Sequence, residues 1–340
     1  MCKPFVFLVS LVLLAAPVAA QTTDSIGVRA LGMGGAFTAV ADDATASWWN
    51  PAGMAGGAYF NALIESGSFH EPPSERTAAG DPRPARGAGT RSFAVAFPAL
   101  GLSYYRLQVS EIQPQTSTAG AAGGRQDVGA IEVRLRSMVL NQFGASVGQS
   151  LGSHLVVGST FKLLRAGAAS EVQAASTGSL DAAARIDPAG ETHVGLDVGA
   201  MATFGRARIG LMVRNVREPE FGSGADAFTL SRTARVGVAL SSGTRGVIGA
   251  ATVAIDADLT KTTTVLGDER RLAGGGELWT SARTFGVRGG VNVNTIGDRR
   301  TSLSAGFSAA LKKGMYADGE FTGGTDSGRH GWTVGLRVTF

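Results

Sequence analysis

Few of the residues able to do chemistry in this 340-residue chain are spaced to do it. The four histidines, His70, His154, His193 and His330, share no metal-ligand interval, so neither a metal site nor a cofactor is expected. Gly32, Gly34 and Gly35 suggest a phosphate loop, but no strand precedes them and the third interval is wrong for a dinucleotide. A membrane-barrel hydrolase would need a serine and a histidine on neighbouring strands, and no such pair is nominated locally. No catalytic residue is therefore assigned, and the chain is not expected to be an enzyme. One run stands out, Ala41 to Met54. There Asp42 or Asp43 can cap a helical turn, the alanines run on to Trp49, and Pro51 stops the turn just after Asn50. The wider segment, Ile26 to Ala58, contains seven glycines and lacks any alternating pattern.

The elements that would position this run come from periodicity. In the last ten residues Trp332, Val334, Leu336, Val338 and Phe340 alternate with Gly331, Thr333, Gly335, Arg337 and Thr339. One face is wholly apolar and the other small, polar or charged, as a strand between lipid and a wet lumen requires. The same period of two predicts fourteen strands, near 59–69, 91–98, 101–109, 131–150, 154–165, 192–204, 207–216, 232–241, 246–259, 275–282, 284–293, 301–311, 314–322 and 331–340. Short connections follow every even strand. Long polar ones lie near 70–90, 110–130, 166–191 and 217–231. That asymmetry predicts a transmembrane, antiparallel, up-and-down all-β barrel with both termini on the periplasmic side. A soluble sandwich is the alternative, but it would put larger aromatics on its apolar face.

Composition agrees. Forty-nine glycines argue against long helices, and a net charge of +4 without a basic run is too dilute for nucleic acid. Lys3, the apolar stretch Pro4 to Ala16 and the small residues Val18-Ala19-Ala20 form an expected export signal over 1–20, cleaved before Gln21. The stretch is short for a membrane anchor. Cleavage would remove Cys2, the only cysteine, leaving packing and backbone pairing to hold the fold. The division is then a signal at 1–20, a compact helical hatch at 21–58 filling the lumen, and a barrel at 59–340. On the expected inward face lie charges of both signs, among them Lys162, Asp256, Glu277, Arg288, Asp318 and Arg337, which suit a salt-bridged wall holding the hatch.

The segment Arg29-Ala30-Leu31-Gly32-Met33-Gly34-Gly35-Ala36-Phe37, followed by Asp42-Asp43 and Asn50-Pro51-Ala52-Gly53-Met54, resembles the N-terminal hatch of the FadL-type outer-membrane transport family. It is also similar to the related PorV and PorQ proteins of type IX secretion. The resemblance implies a hatch-plugged barrel in the cell outer membrane of a Gram-negative-type envelope. It implies passive uptake of hydrophobic small molecules such as long-chain fatty acids, with Asp42, Asp43, Asn50, Pro51, Ala52 and Gly53 at the gate; Asn50-Pro51-Ala52 could equally be a helix stop that seats the plug. The PorV/PorQ branch implies the alternative, a component of protein secretion or surface assembly with exported proteins as partners. In strand three Leu102 and Tyr104 share one face while Leu107 and Val109 share the other, so a bulge near Tyr105 and Arg106 is expected to keep both sets outward. By resemblance such a kink opens the wall sideways; the plainer reading has Tyr105 pointing into the plug. Thr333, Gly335, Val338 and Phe340 resemble the signal read by the barrel-insertion machinery. Expected partners are thus outer-membrane lipid, a hydrophobic ligand and that machinery.

Overall fold

The computed structural model describes residues 18–19, 25–71, 84–115, 132–243, 248–324 and 329–340. The expected export signal, its cleavage site before Gln21 and parts of two expected loops lie largely outside the described residues. Fourteen antiparallel strands form a closed barrel. They are β1 (Asn61–Glu71), β2 (Ala85–Phe97), β3 (Leu100–Pro114), β4 (Glu132–Leu151), β5 (Leu155–Ala174), β6 (Glu191–Phe204), β7 (Ala207–Arg214), β8 (Thr233–Ser242), β9 (Ile248–Asp258), β10 (Arg271–Thr280), β11 (Phe285–Asn294), β12 (Thr301–Lys312), β13 (Met315–Gly324) and β14 (His330–Thr339). Each pairs with its chain neighbour, and β14 closes on β1 from Thr339↔Asn61 to His330↔His70. No edge is left unpaired, which is how a sheet satisfies its backbone in hydrocarbon.

Outward positions are mostly apolar. Leu102, Phe161, Ile255, Leu303 and Trp332 expose between 47% and 64% of their surface to the lipid side. On the side of the short connections, each described turn between barrel strands carries one residue in the left-handed region: Ala99, Gly152, Gly205, Arg283 or Gly314. Such a residue lets two strands reverse within a few residues.

Two expectations are corrected here. First, β2, β3 and β5 are longer than the alternation indicated; β5 runs to Ala174 instead of 165, and β2 starts at Ala85 instead of 91. These extensions rise on the long-loop side, where a helical turn (Leu180–Ala184) packs against the outer face of β3 and β4 and buries Val133 and Leu135 against Ala183. Around that turn the outward residues of β3 and β4 therefore face protein, and the lipid-facing alternation lapses there. Second, β3 has no bulge. Its register is unbroken on both sides, from Phe97↔Leu100 to Ala85↔Ile112 and from Leu100↔Val147 to Pro114↔Val133. The apolar phase change is real, but Leu107 and Val109 simply face inward, where they join Met138, Leu140 and Leu164 in a buried apolar cluster. Register shifts occur instead between Ile248 and Ala250 and between Ala310 and Lys312.

Inside the barrel lies the segment from Ser25 to Gly57, with α1 (Val28–Gly32), α2 (Ala46–Trp49) and a 3-10 helix (Pro51–Gly56). Phe37, Trp48 and Trp49 are at most 1% exposed, so the lumen is the hydrophobic core of the protein.

Candidate functional site

The hatch is fastened on every side by wall side chains that meet its backbone. Glu65 on β1 accepts bonds from the amides of Gly27 (3.1 Å) and Val28 (3.0 Å), and Asp256 on β9 accepts from those of Phe37 (3.0 Å) and Thr38 (2.8 Å). Asn292 on β11 donates to the Gly34 carbonyl, Arg214 on β7 to that of Trp48, and Thr160 on β5 to that of Ser47. A short, glycine-rich segment cannot satisfy its own peptide groups, so the wall does it.

Asp42 and Asp43 converge on Arg29. Its Nη1 lies 2.7 Å from Asp42 Oδ1 and 2.8 Å from Asp43 Oδ2, while Nη2 lies 2.7 Å from Glu277 Oε2 on β10. The chain of charges continues along the wall. Arg288 Nε stands 3.2 Å from Glu277 Oε1, Ser308 bridges Arg288 and Asp318, and Arg337 Nε stands 2.9 Å from Asp318 Oδ2. Burial works against the charged Arg29 guanidinium, but Asp42, Glu277 and Asp43 outweigh it and hold its pKa well above the ordinary arginine value. Asp43 also accepts the Thr45 amide at 2.9 Å, so it caps the turn leading into α2, and the helix proper starts later than expected, at Ala46.

Asn50 sits extended between α2 and the 3-10 helix. Its Nδ2 donates to the carbonyls of Thr38 (2.9 Å) and of Ala200 on β6 (3.1 Å), and its Oδ1 accepts from Ala52 N (3.1 Å). Pro51 and Ala52 rest on a saddle of glycines paired across three strands, Gly148↔Gly158 and Gly158↔Gly199. A Cβ at Gly158 would lie 2.4 Å from Ala52 N, and one at Gly199 would lie 2.1 Å from Asn50 Oδ1. Gly53 is pressed as closely on Ala41, whose carbonyl oxygen would meet an added Cβ at 1.7 Å.

Tyr105 is fully buried, pairs its hydroxyl with Ser47 and takes Trp48 edge-on at 5.4 Å. Its neighbour Arg106 points out of the barrel and donates to Asn141 at 3.3 Å. The two sit back to back on a closed stretch of wall. Of the four residues expected to carry the assembly signal, Thr333 and Gly335 face the lumen. Val338 is half-buried, and Phe340, which is exposed, stacks on Phe60.

Sequence reasoning missed Glu65, Asn292 and the glycine saddle. Strand parity carried the first, because Glu65 alternates with outward Ile64. Glycines that seat a hatch and glycines in turns look alike in a sequence. Also missed was the segment between β7 and β8. Its Phe221 and Phe228 stack at 5.3 Å and, with Leu230, are buried against the inward apolar patch of β3, β4 and β5.

The interior is consequently full. Two cavities beside the hatch, one near Trp49 and one near Leu31, measure about 50 Å³ each, room for a few waters. Larger spaces lie outside the hatch. A vestibule of about 590 Å³ at the short-turn end reaches Arg29 and Asp42. A groove of about 670 Å³ on the lipid-facing wall runs between Phe307, Leu336, Ile64 and Phe93, and reaches the inward-facing Glu65 and Ser92 past Gly335. Among the described residues no cluster of metal-ligating side chains is found.

The barrel is similar to three solved structures. They are the CymD monoaromatic hydrocarbon channel (13% identity, TM-score 0.58, covering 94% of this chain and 99% of that one), the Ralstonia pickettii toluene transporter TbuX (12%, 0.58, 93% and 98%) and a Pseudomonas aeruginosa FadL homologue (12%, 0.52, 96% and 99%). At such identities the likeness shows the fold, a FadL-type barrel. A sequence comparison with curated proteins gives no match. Residues 85–258, from β2 to the end of β9, match the family described as F plasmid transfer operon, TraF, protein, and the chain belongs to that family.

Proposed function

We propose that the protein is an outer-membrane channel for passive uptake of small hydrophobic molecules, with the hatch as gate and exit sideways through the wall. In this reading residues 1–20 direct export, 21–58 are the hatch and 59–340 the barrel. The observation that carries it is the lipid-facing groove. At Gly335 a Cβ would meet Glu65 Cγ at 2.8 Å, so the wall there is one glycine thick between the groove and the Glu65 that holds the hatch backbone. An apolar solute leaving by this seam gains about 0.8 kcal/mol for each methylene it transfers from water into the bilayer. The exit is placed between β14 and β1, where the groove reaches the fastening of the hatch, and not at Tyr105, where Ser47 and Trp48 pack against the wall; the ladder is unbroken at both places, so exit requires the β14–β1 pairing to part locally. Because cavities beside the hatch hold only a few waters, passage requires the hatch to shift. The three similar channels, two of them named for monoaromatic hydrocarbons or toluene, support this solute class.

A second reading, a secretion or surface-assembly component, is favoured by the same full interior: Phe221, Phe228 and Leu230 occupy the apolar patch that a solute would otherwise fill. Liposomes containing the purified protein decide between them. Uptake of labelled toluene or oleate above protein-free liposomes supports the channel. No uptake of either, together with exported proteins retained by the immobilised barrel, supports the assembly role.

A further inference from the structure

The outer face of the barrel carries a feature that uptake does not use. Arg91 on β2 and Arg106 on β3 are directly opposed across the sheet, and both point outward. Opposed like charges on one face repel each other and weaken a strand pair. Among the described residues neither guanidinium has a carboxylate within ion-pair distance, and the outward neighbours in the same row are Ser66 on one side and Asn141 and Arg165 on the other. On β2 the outward residues change at Arg91, from Phe97, Val95 and Phe93 on the periplasmic side to Gly89 and Gly87 on the other. Arg91 thus stands where the apolar run of β2 ends, and an outward arginine is tolerated best where such a band meets the headgroups. It also forms the outer end of the lipid-facing groove, whose floor is small (Ser66, Ala317) and whose flanks are Phe93, Phe307, Val334 and Leu336.

We infer that this is a binding site for one anionic, phosphate-bearing lipid of the outer leaflet, its phosphate shared by Arg91 and Arg106 and one acyl chain lying in the groove. Charge complementarity selects the headgroup. Two guanidiniums on adjacent strands can fork onto a single phosphate, which removes their mutual repulsion, while a zwitterionic lipid brings a cation of its own. The groove selects a chain, since it is apolar along its length and open to the bilayer. The acyl chain would lie in the groove that the proposed exit crosses, but the inference needs only the paired arginines and that groove, and stands whether or not the barrel transports anything.

The test uses the full chain in detergent, titrated with phosphatidylglycerol or with phosphatidylcholine bearing the same acyl chains, and native mass spectrometry to count bound lipid. Phosphatidylglycerol is expected to be retained at least tenfold better. Arg91→Gln with Arg106→Gln should abolish that preference, Arg91→Lys should keep part of it, and Arg165→Gln should leave it unchanged. Heat-dependent gel mobility confirms that each barrel is folded; if the double variant is not, Arg91→Gln alone serves. Equal retention of the two lipids by the native protein, or an undiminished preference in a folded Arg91→Gln variant, overturns the site.

Discussion

Arg29 in the hatch and Glu277 on β10 meet in a two-pronged pair, Nε to Oε1 at 3.0 Å and Nη2 to Oε2 at 2.7 Å, with both side chains nearly out of contact with solvent. Through Arg29, Asp42 and Asp43 are tied to the wall as well. Removing one partner of a buried set strands the others, at a cost of about 3–5 kcal/mol. Arg29→Ala should therefore free the hatch without opening the barrel. The expected result is raised ion conductance in planar bilayers with heat-dependent gel mobility retained. Native conductance in that variant would show that the pair does not hold the gate shut.

The glycine saddle makes a sharper demand. A methyl at Gly199 or Gly158 collides with Asn50 or with the Ala52 backbone, atoms that are themselves fixed by hydrogen bonds. Gly199→Ala is expected to dislodge the Asn50-Pro51-Ala52 element and expose the hatch to limited proteolysis. Asn50→Ala, which deletes three hydrogen bonds, the one to the Thr38 carbonyl being buried, should do the same. Protection equal to that of the native protein in both variants would reduce these residues to passive filling.

These contacts show what a sequence reveals in a barrel and what it hides. Strict alternation at Trp332 to Phe340, and the short connections after even strands, made the fourteen strands readable because lipid enforces one face everywhere it touches. Where lipid stops touching, the rule stops. Val133 and Leu135 point outward yet are buried by the Leu180–Ala184 turn, and Leu107 and Val109 point inward yet are apolar because the hatch and Phe221 side of the lumen is apolar there. A change of phase at Leu107 reads equally as a bulge or as a change of surroundings. The hatch was visible as a break in pattern at Ile26 to Ala58, but its fastenings were not, since which inward residue meets which hatch peptide depends on the register of distant strands.

At the long-loop end of the barrel, Glu269 lies against Arg271 (3.0 Å) and Arg300 (2.5 Å). Burial alone would raise its pKa, yet Arg271, Arg86 and Arg300 outweigh burial and bring it down to about 2. A depressed carboxylate pKa stabilises the folded form above the ordinary carboxylate range, and that stability is lost as pH falls through 2. Glu269→Gln should thus melt earlier than the native protein at pH 7, by an amount on the order of 3 kcal/mol, with the gap narrowing steadily between pH 5 and pH 2. A gap independent of pH would mean the carboxylate acts through its shape and not its charge.

The position proposed for the sideways exit separates two substitutions. Leu336→Trp adds a large side chain to the lipid-facing groove and touches nothing in the hatch. Tyr105→Phe removes only the hydroxyl paired with Ser47, worth about 1 kcal/mol, on the closed stretch of β3. In uptake by liposomes, Leu336→Trp is expected to slow toluene entry at least fivefold and Tyr105→Phe to leave it within twofold. The reverse order would move the exit to β3.

Phe221 and Phe228 offer the last handle on gating, because they lie on a segment between β7 and β8 yet are at most 3% exposed, sealed against Leu107, Leu140 and Leu164. If that segment is a lid, the apolar patch beneath it is a solute site that the protein keeps filled with its own side chains. Truncating either ring costs about 3–5 kcal/mol of packing and leaves an apolar cavity, and cavities of this kind stay dry and accept small aromatics. Phe228→Ala should then bind toluene measurably by calorimetry, and the bound solute should recover part of the lost melting temperature. The ring His193 places edge-on to Phe221 at 4.7 Å remains to hold the segment, so the barrel should stay closed to ions while its interior opens to the solute. A destabilised variant that shows no toluene-dependent recovery would mark the two phenylalanines as core residues and direct the search for the solute path to the hatch alone.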